Sequence, residues 1–515
     1  MPEHRPTRPT PSESGPRRRP HDLGPERDRH DGQPGRGVTR AETDSDPGGM
    51  SPEQRRGMMG KHHAQTLWVW WTVVLLGAWT AVAPLSFGYA VGTVAPAGGR
   101  EVWLDLPTRI AAMSISDLVA GLLLIAFGWR ALTPGRPLSV WACCAVGVWL
   151  TFAPLIFWAP TAAAYYNDTL VGALVIALTI LIPGMPGMMM IMQPGPETPP
   201  GWSYNPSSWP QRAIMIGLGF AGWLVSRHLA AYQFGYIDGI WDPFFGDGSR
   251  RVLTSSVSEM APISDAGLGA AAYTFEFLMG WMGGTARWRT MPWMVAFFGV
   301  LVIPLGLTHV LLVGSQPVAV GEWCTLCLLA AVIMLPMIPL EVDEVAAMFQ
   351  FLIAARRKGR PLWQAFWFGG TMDGGGPDDR SPELMSLPAR PGAVAAASLW
   401  GMTFPWTLVL SAALGVWLMA APGVLGHDGR AADVEHLAGV AVLTTAVVAM
   451  GEPVRTLRLL NVLFGALLAG LPWFVGGADL GGRLLDTLAG LAVLALAIPR
   501  GPLRERFGPW DRWIA

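Results

Sequence analysis

Stretches long and apolar enough to cross a bilayer recur from residue 66 to residue 499, and this leaves the chain few possible folds. A crossing helix needs about 20 mostly apolar residues, each adding about 1.5 Å. Twelve such stretches are legible, near 66–88, 110–131, 138–159, 165–190, 211–231, 265–284, 290–313, 321–340, 398–421, 433–450, 455–475 and 482–499. Lipid offers the backbone no hydrogen bonds, so segments of this length imply helices. The expected fold is an all-α integral membrane protein of about 12 transmembrane helices. Charged residues make up only 14% of the chain, where soluble domains carry about a quarter. Its 25 tryptophans suit two membrane interfaces. The lipid membrane is the evident partner, and no basic surface beyond the N-terminal tail points to nucleic acid.

Residues 1–63 are rich in Pro, Gly, Arg, Asp and Glu, and they are expected to form a disordered cytosolic tail. Placing the N-terminus in the cytoplasm puts Arg130, Arg136, Arg212, Arg287, Arg289, Arg356, Arg357, Lys358, Arg455, Arg458, Arg500 and Arg504 inside, as the positive-inside rule prefers. The exception is the outer loop 232–264, which holds Arg250 and Arg251. Residues 503–515 then form a second cytosolic tail.

The outer spans repeat a pattern. Gly77, Gly147, Gly415 and Gly465 each stand seven residues before a proline (Pro84, Pro154, Pro422, Pro472), and the first three begin a Gly-x-Trp. In the following span an acid precedes a glycine by four: Asp117/Gly121, Asp168/Gly172, Glu435/Gly439 and Asp486/Gly490. Such self-similarity marks a repeated helical hairpin, with glycines permitting close helix approach in lipid. Each acid is expected in a first helical turn, where it meets free N–H groups; the alternative is an ion or proton path. The arrangement resembles the two-helix SPW repeat, implying one four-helix quartet over 64–194 and another over 396–502.

Four cysteines are present. Cys143 and Cys144 are adjacent, and neighbours on a helix point apart, so they read as packing residues. Cys324 and Cys327 open the eighth span at an extracytoplasmic helix N-terminus. There, one turn apart, they share a face, and the helix dipole favours the reactive thiolate. A structural disulfide or a redox pair both fit this spacing. A zinc site would want further Cys or His ligands nearby. His309 reads as a satisfied interhelical donor. Glu276 reads as a neutral acid bonded across a bundle or as a proton donor beside a redox group.

Residues 209–350 resemble the vitamin K epoxide reductase (VKOR) family. The matching pieces are a first helix, a loop holding Trp241-Asp242-Pro243 and Ser249-Arg-Arg-Val252, a helix with Asp265 to Gly269 and Tyr273-Thr-Phe-Glu276, a third helix, and Trp-Cys-Thr-Leu-Cys. The resemblance implies a four-helix redox domain over 205–340 and a 4 + 4 + 4 arrangement. It also implies Cys327 as the quinone-proximal thiol and Cys324 as the exchanging one. Asp265 stands where the family has a quinone-bonding Asn, and Tyr273 and Glu276 are further candidate quinone-binding residues. The implied cofactor is a quinone of menaquinone or ubiquinone type, and the implied partner an extracytoplasmic thioredoxin-fold or other thiol protein. Two departures matter: Trp241 and Ser249 replace the family's loop cysteines, and Ala331 replaces its Tyr. An internal thiol relay is thereby ruled out. The expected activity is thiol:quinone oxidoreduction; a catalytically silent scaffold is the alternative. A transporter finds no span with paired charges. Residues 341–395 are expected to form a cytosolic interfacial helix followed by a flexible linker near 370–392.

Overall fold

The computed structural model of the protein describes residues 52–182, 195–382, 390–474 and 479–514. Most of the expected N-terminal tail, residues 1–51, lies outside the described residues. Its end does not follow the expectation: Pro52–Gln65 is a helix. Pro52 at the first helical position and Glu53 in the first turn both suit a helix start.

Eleven described helices are long and apolar enough to cross a membrane. Leu67–Ser86, Leu106–Ala131, Pro137–Ile156 and Ala162–Leu181 form the first quartet. Trp209–Gln233, Pro292–Gly314 and Thr325–Arg357 belong to the central bundle. Trp406–Leu425, Gly429–Val448, Glu452–Trp473 and Leu480–Ala497 form the last quartet. The remaining expected span, 265–284, is the 17-residue helix Asp265–Trp281, packed along Trp209–Gln233. At about 25 Å it is one residue shorter than the shortest of the others, Leu480–Ala497. The protein is thus an all-α multi-pass membrane protein. Leu75, Leu85, Val332 and Leu488 point outward from it as lipid-facing side chains do.

The repeat glycines sit where hairpins cross. A Cβ on Gly77 would lie 2.7 Å from the Gly121 carbonyl oxygen, and one on Gly147 3.0 Å from that of Gly172. The same test gives 2.8 Å for Gly415 against Gly439 and 2.6 Å for Gly465 against Gly490. All four hairpins therefore cross backbone to backbone, and any side chain there would separate them.

Two further expectations change at the end of the bundle opposite the CxxC. The expected interfacial helix is continuous with its span, running Thr325–Arg357 through Pro336 and Pro339. Its last turns bury Ala347, Phe351 and Ala355 against Trp202, Trp288 and Phe507, so packing carries the helix past the membrane-length limit. The described part of the linker is tied down. Glu197 and Thr198 N–H groups donate to the Gly376 carbonyl at 3.0 Å, and Asn205 Nδ2 donates to Asp378 at 3.1 Å. Residues 383–389 lie outside the described residues.

Candidate functional site

Cys324 is the N-cap of helix Thr325–Arg357, and its Sγ accepts from the Cys327 N–H at 3.2 Å. The two sulfurs form a disulfide with Cα atoms 5.2 Å apart. Cys324 is fully buried, because the loop after the first bundle helix folds over it as a lid. Asp242 holds that lid. Its Oδ1 accepts from the Thr325 hydroxyl at 2.5 Å and from Phe245 N–H at 3.0 Å, and its Oδ2 from Ser249 N–H at 2.9 Å. Burial raises the Asp242 pKa, but these bonds outweigh it and hold the carboxyl down to about 2. Ser249 Oγ in turn accepts from Thr325 N–H at 3.2 Å. Gly248 lies so close to Trp323 that a Cβ would come 2.3 Å from its carbonyl oxygen. An Arg251–Glu322 ion pair at 2.8 Å and Phe245 stacked on Trp323 complete the closure.

The last quartet reaches this site. His436 places Nε2 2.6 Å from the Gly314 carbonyl and Nδ1 2.9 Å from that of Met419, while its ring meets Trp323 edge to face. Gln316 Oε1 accepts from the Cys324 N–H at 3.2 Å. Neither His436 nor Gln316 stands out in the sequence: the His436 partners Gly314 and Trp323 lie over a hundred positions away, and Gln316, eight residues before Cys324, belongs to no motif.

Tyr273 is buried, and its hydroxyl donates to the Ala330 carbonyl at 3.0 Å, about one turn beyond Cys327. Gly222 makes room for its ring, since a Cβ there would sit 2.2 Å from it. His309 meets that ring edge-on at 6.4 Å, and its buried Nε2 has no hydrogen-bond partner. The expectation of a satisfied donor is thus overturned. Glu276, one turn further from the CxxC, is fully buried with neither carboxyl oxygen bonded, so it makes no bond across the bundle. Asp265 lies at the rim, its Oδ1 accepting from Gln233 Nε2 at 2.5 Å and Ser258 Oγ at 2.9 Å.

The chain also matches known families. Residues 213–342 match the vitamin K epoxide reductase family, and residues 405–499 match the SPW repeat domain. The centre of this protein is thus similar to the VKOR family. No curated protein and no solved structure matches the chain. The SPW match covers the last quartet; the first shares its glycine crossings without being matched. The match supports a membrane redox protein of VKOR type in general, and the Cys324–Cys327 disulfide lies within the matched residues. The residues present fit a quinone: His309 Nε2 is a buried, unengaged polar atom beside the ring of Tyr273.

Cys143 and Cys144 are free and buried, away from the VKOR disulfide. The four repeat acids are not in first turns. Asp168, Glu435 and Asp486 lie six residues beyond the first helical residue and Asp117 eleven, all buried. Instead they pair between hairpins, Asp117 with Asp168 and Glu435 with Asp486. A search within single spans could not find such pairs.

Proposed function

We propose that the protein is a membrane thiol:quinone oxidoreductase of VKOR type with its CxxC on the extracytoplasmic side and both termini in the cytoplasm. A partner dithiol attacks the disulfide at Cys324, which leaves a partner disulfide and the Cys324/Cys327 dithiol. That dithiol is reoxidised from the Cys327 side. A quinone bound there supplies the oxidising power, taking two electrons and two protons and leaving as quinol. The observation that carries this reading is a disulfide capping the fourth helix of the VKOR-like region, with an unengaged His309 beside Tyr273, whose hydroxyl bonds the Ala330 carbonyl about one turn beyond Cys327. The helix N-terminus stabilises the Cys324 thiolate, which makes it both a good leaving group and the exchanging thiol.

With no loop cysteines, the partner must reach Cys324 itself, and the lid held by Asp242 has to open first. Asp265, Tyr273 and Glu276 are the proposed residues on the quinone side. Thiol trapping in intact cells tests the thiol half: mixed disulfides should accumulate in Cys327→Ser and disappear in Cys324→Ser. Purified protein should oxidise a protein dithiol with stoichiometric loss of a ubiquinone or menaquinone analogue. The burial of Cys324 and the Ser at position 249 favour a second reading, a silent scaffold with a structural disulfide. That reading expects neither trapping nor quinone consumption.

A further inference from the structure

The thiol chemistry uses none of the carboxyl groups in the lower half of the VKOR bundle. Glu276 is fully buried with both oxygens unpartnered. A lone carboxylate in such a place costs several kcal/mol, on the order of the desolvation of an unpaired charge, so the group sits there as the neutral acid. Within electrostatic reach is Glu341 on the fourth helix, 2% exposed, with an unpartnered Oε1. Glu341 in turn lies beside Glu344 and Arg287, which form a buried ion pair at 2.5 Å. Next to Glu344, Asp343 accepts from the Tyr204 hydroxyl at 2.7 Å and from Gln211 at 2.9 Å, in the segment that closes the end opposite the CxxC. The neighbouring cation, Arg212, donates to the carbonyls of Gly280, Met282 and Gly283, so it does not neutralise Glu341 by a direct bond. Toward the disulfide, Tyr273 and His309 extend the series from Glu276.

Unpaired acids are costly in a membrane and are retained where protons move. Glu341 thus lies within electrostatic reach of Glu276, and Tyr273, three residues before Glu276, bonds the Ala330 carbonyl about one turn beyond Cys327. From Cys327 to Glu341 is fourteen residues of helix, about 21 Å.

We propose that Glu276 and Glu341 form a proton entry from the face opposite the CxxC to the quinone side of the disulfide, so that dithiol oxidation moves protons across the membrane. This rests on the oxidoreductase reading above. Per turnover, two thiols and one quinone become one disulfide and one quinol. Two protons leave the thiols at the CxxC face, the electron pair passes inward through Cys324 and Cys327, and the two protons of the quinol enter past Glu341 and Glu276. The protein thus separates charge as it makes a disulfide.

The test uses the full chain in proteoliposomes with decyl-ubiquinone in the bilayer, a pH dye in the lumen, and valinomycin with potassium to collapse the voltage. Reduced thioredoxin, a soluble dithiol that cannot cross, is added outside and turns over only molecules whose CxxC faces outward. The readout is lumenal protons consumed per dithiol oxidised. Wild type should give about two, and Glu276→Gln and Glu341→Gln should each lower the ratio at least fivefold. Dithiol oxidation without lumenal alkalinisation in wild type overturns the inference and leaves the oxidoreductase reading standing. An unchanged ratio in both variants also overturns it. No dithiol oxidation by folded wild type removes both.

Discussion

Replacing Asp242 by alanine should open the lid over the disulfide. The carboxylate accepts three hydrogen bonds, from the Thr325 hydroxyl and from the N–H groups of Phe245 and Ser249. One joins the lid to the redox helix and two hold the lid in the shape that fits there. At about 1 kcal/mol net per bond, halved because Asp242 is partly exposed, the loss comes to about 1.5 kcal/mol. Since 1.4 kcal/mol is tenfold in an equilibrium constant, the open fraction rises about tenfold. Cys324 is fully buried when the lid is closed, so reduction has to pass through the open form. The assay is the rate at which a membrane-impermeant phosphine reduces the disulfide in detergent, read as the gel shift of a maleimide-polyethylene glycol adduct. Asp242→Ala should react about tenfold faster, and Asp242→Asn, which keeps one acceptor, by a smaller factor. A rate within twofold of wild type in folded Asp242→Ala would show that something other than this carboxylate controls access.

The same lid gives a pH window. The Asp242 pKa is held near 2 in the folded protein, below its usual 3.9, so its contribution is complete above about pH 4 and is lost as pH falls through about 2. Reduction, corrected for the reductant's own pH dependence, should be level from pH 7 to 4, then accelerate in wild type and not in Asp242→Ala. Gly248→Ala places a methyl 2.3 Å from the Trp323 carbonyl oxygen, so the lid must lift and reduction should exceed even the Asp242→Ala rate. In the last quartet, Gly439→Ala brings a Cβ 2.7 Å from the Gly415 carbonyl oxygen, whereas Gly423 has nothing within 4 Å. The first change should cost about 1–3 kcal/mol, seen as a lowered unfolding midpoint in detergent, and Gly423→Ala should not.

Much of this architecture was legible because membrane folding leaves strong marks. Span length is set by bilayer thickness, and the Gly–Pro and acid–Gly spacings are the direct record of four hairpins that cross at glycine. The CxxC was visible because a helix turn brings positions three apart together. What stayed hidden depends on contacts between distant segments. The Asp242 lid pairs residues about eighty positions apart, and the Glu276–Glu341 pair spans two helices whose relative rotation no local pattern encodes. The run from 341 to 357 misled because its apolar spacing suits a membrane surface equally well as the protein interior; Trp202, Trp288 and Phe507 decide between them.

The paired acids of the flanking quartets follow from the same logic of unsatisfied groups. Asp117 accepts from the Tyr89 hydroxyl at 2.5 Å through Oδ2, and Asp168 accepts from Asn167 Nδ2 at 3.2 Å through Oδ1. Each then has one buried oxygen left without a donor, and the two carboxyls contact each other. A single shared proton satisfies both vacancies. In the last quartet His427 Nδ1 lies 2.9 Å from Glu435, which contacts Asp486, and Asp486 Oδ1 is again without a donor. The pairs thus act as cross-ties between hairpins, one proton to each, and their chemistry predicts an asymmetry between substitutions. Asp117→Asn supplies N–H donors where the proton was, so it should lower the unfolding midpoint little. Asp117→Ala leaves Asp168 with a buried acceptor and no donor, a loss of about 1–3 kcal/mol. Asp168→Asn and Asp168→Ala should differ in the same sense. If alanine and asparagine are equivalent at both positions, the quartets are held by their glycine crossings alone and the acids have no bonding role in stability.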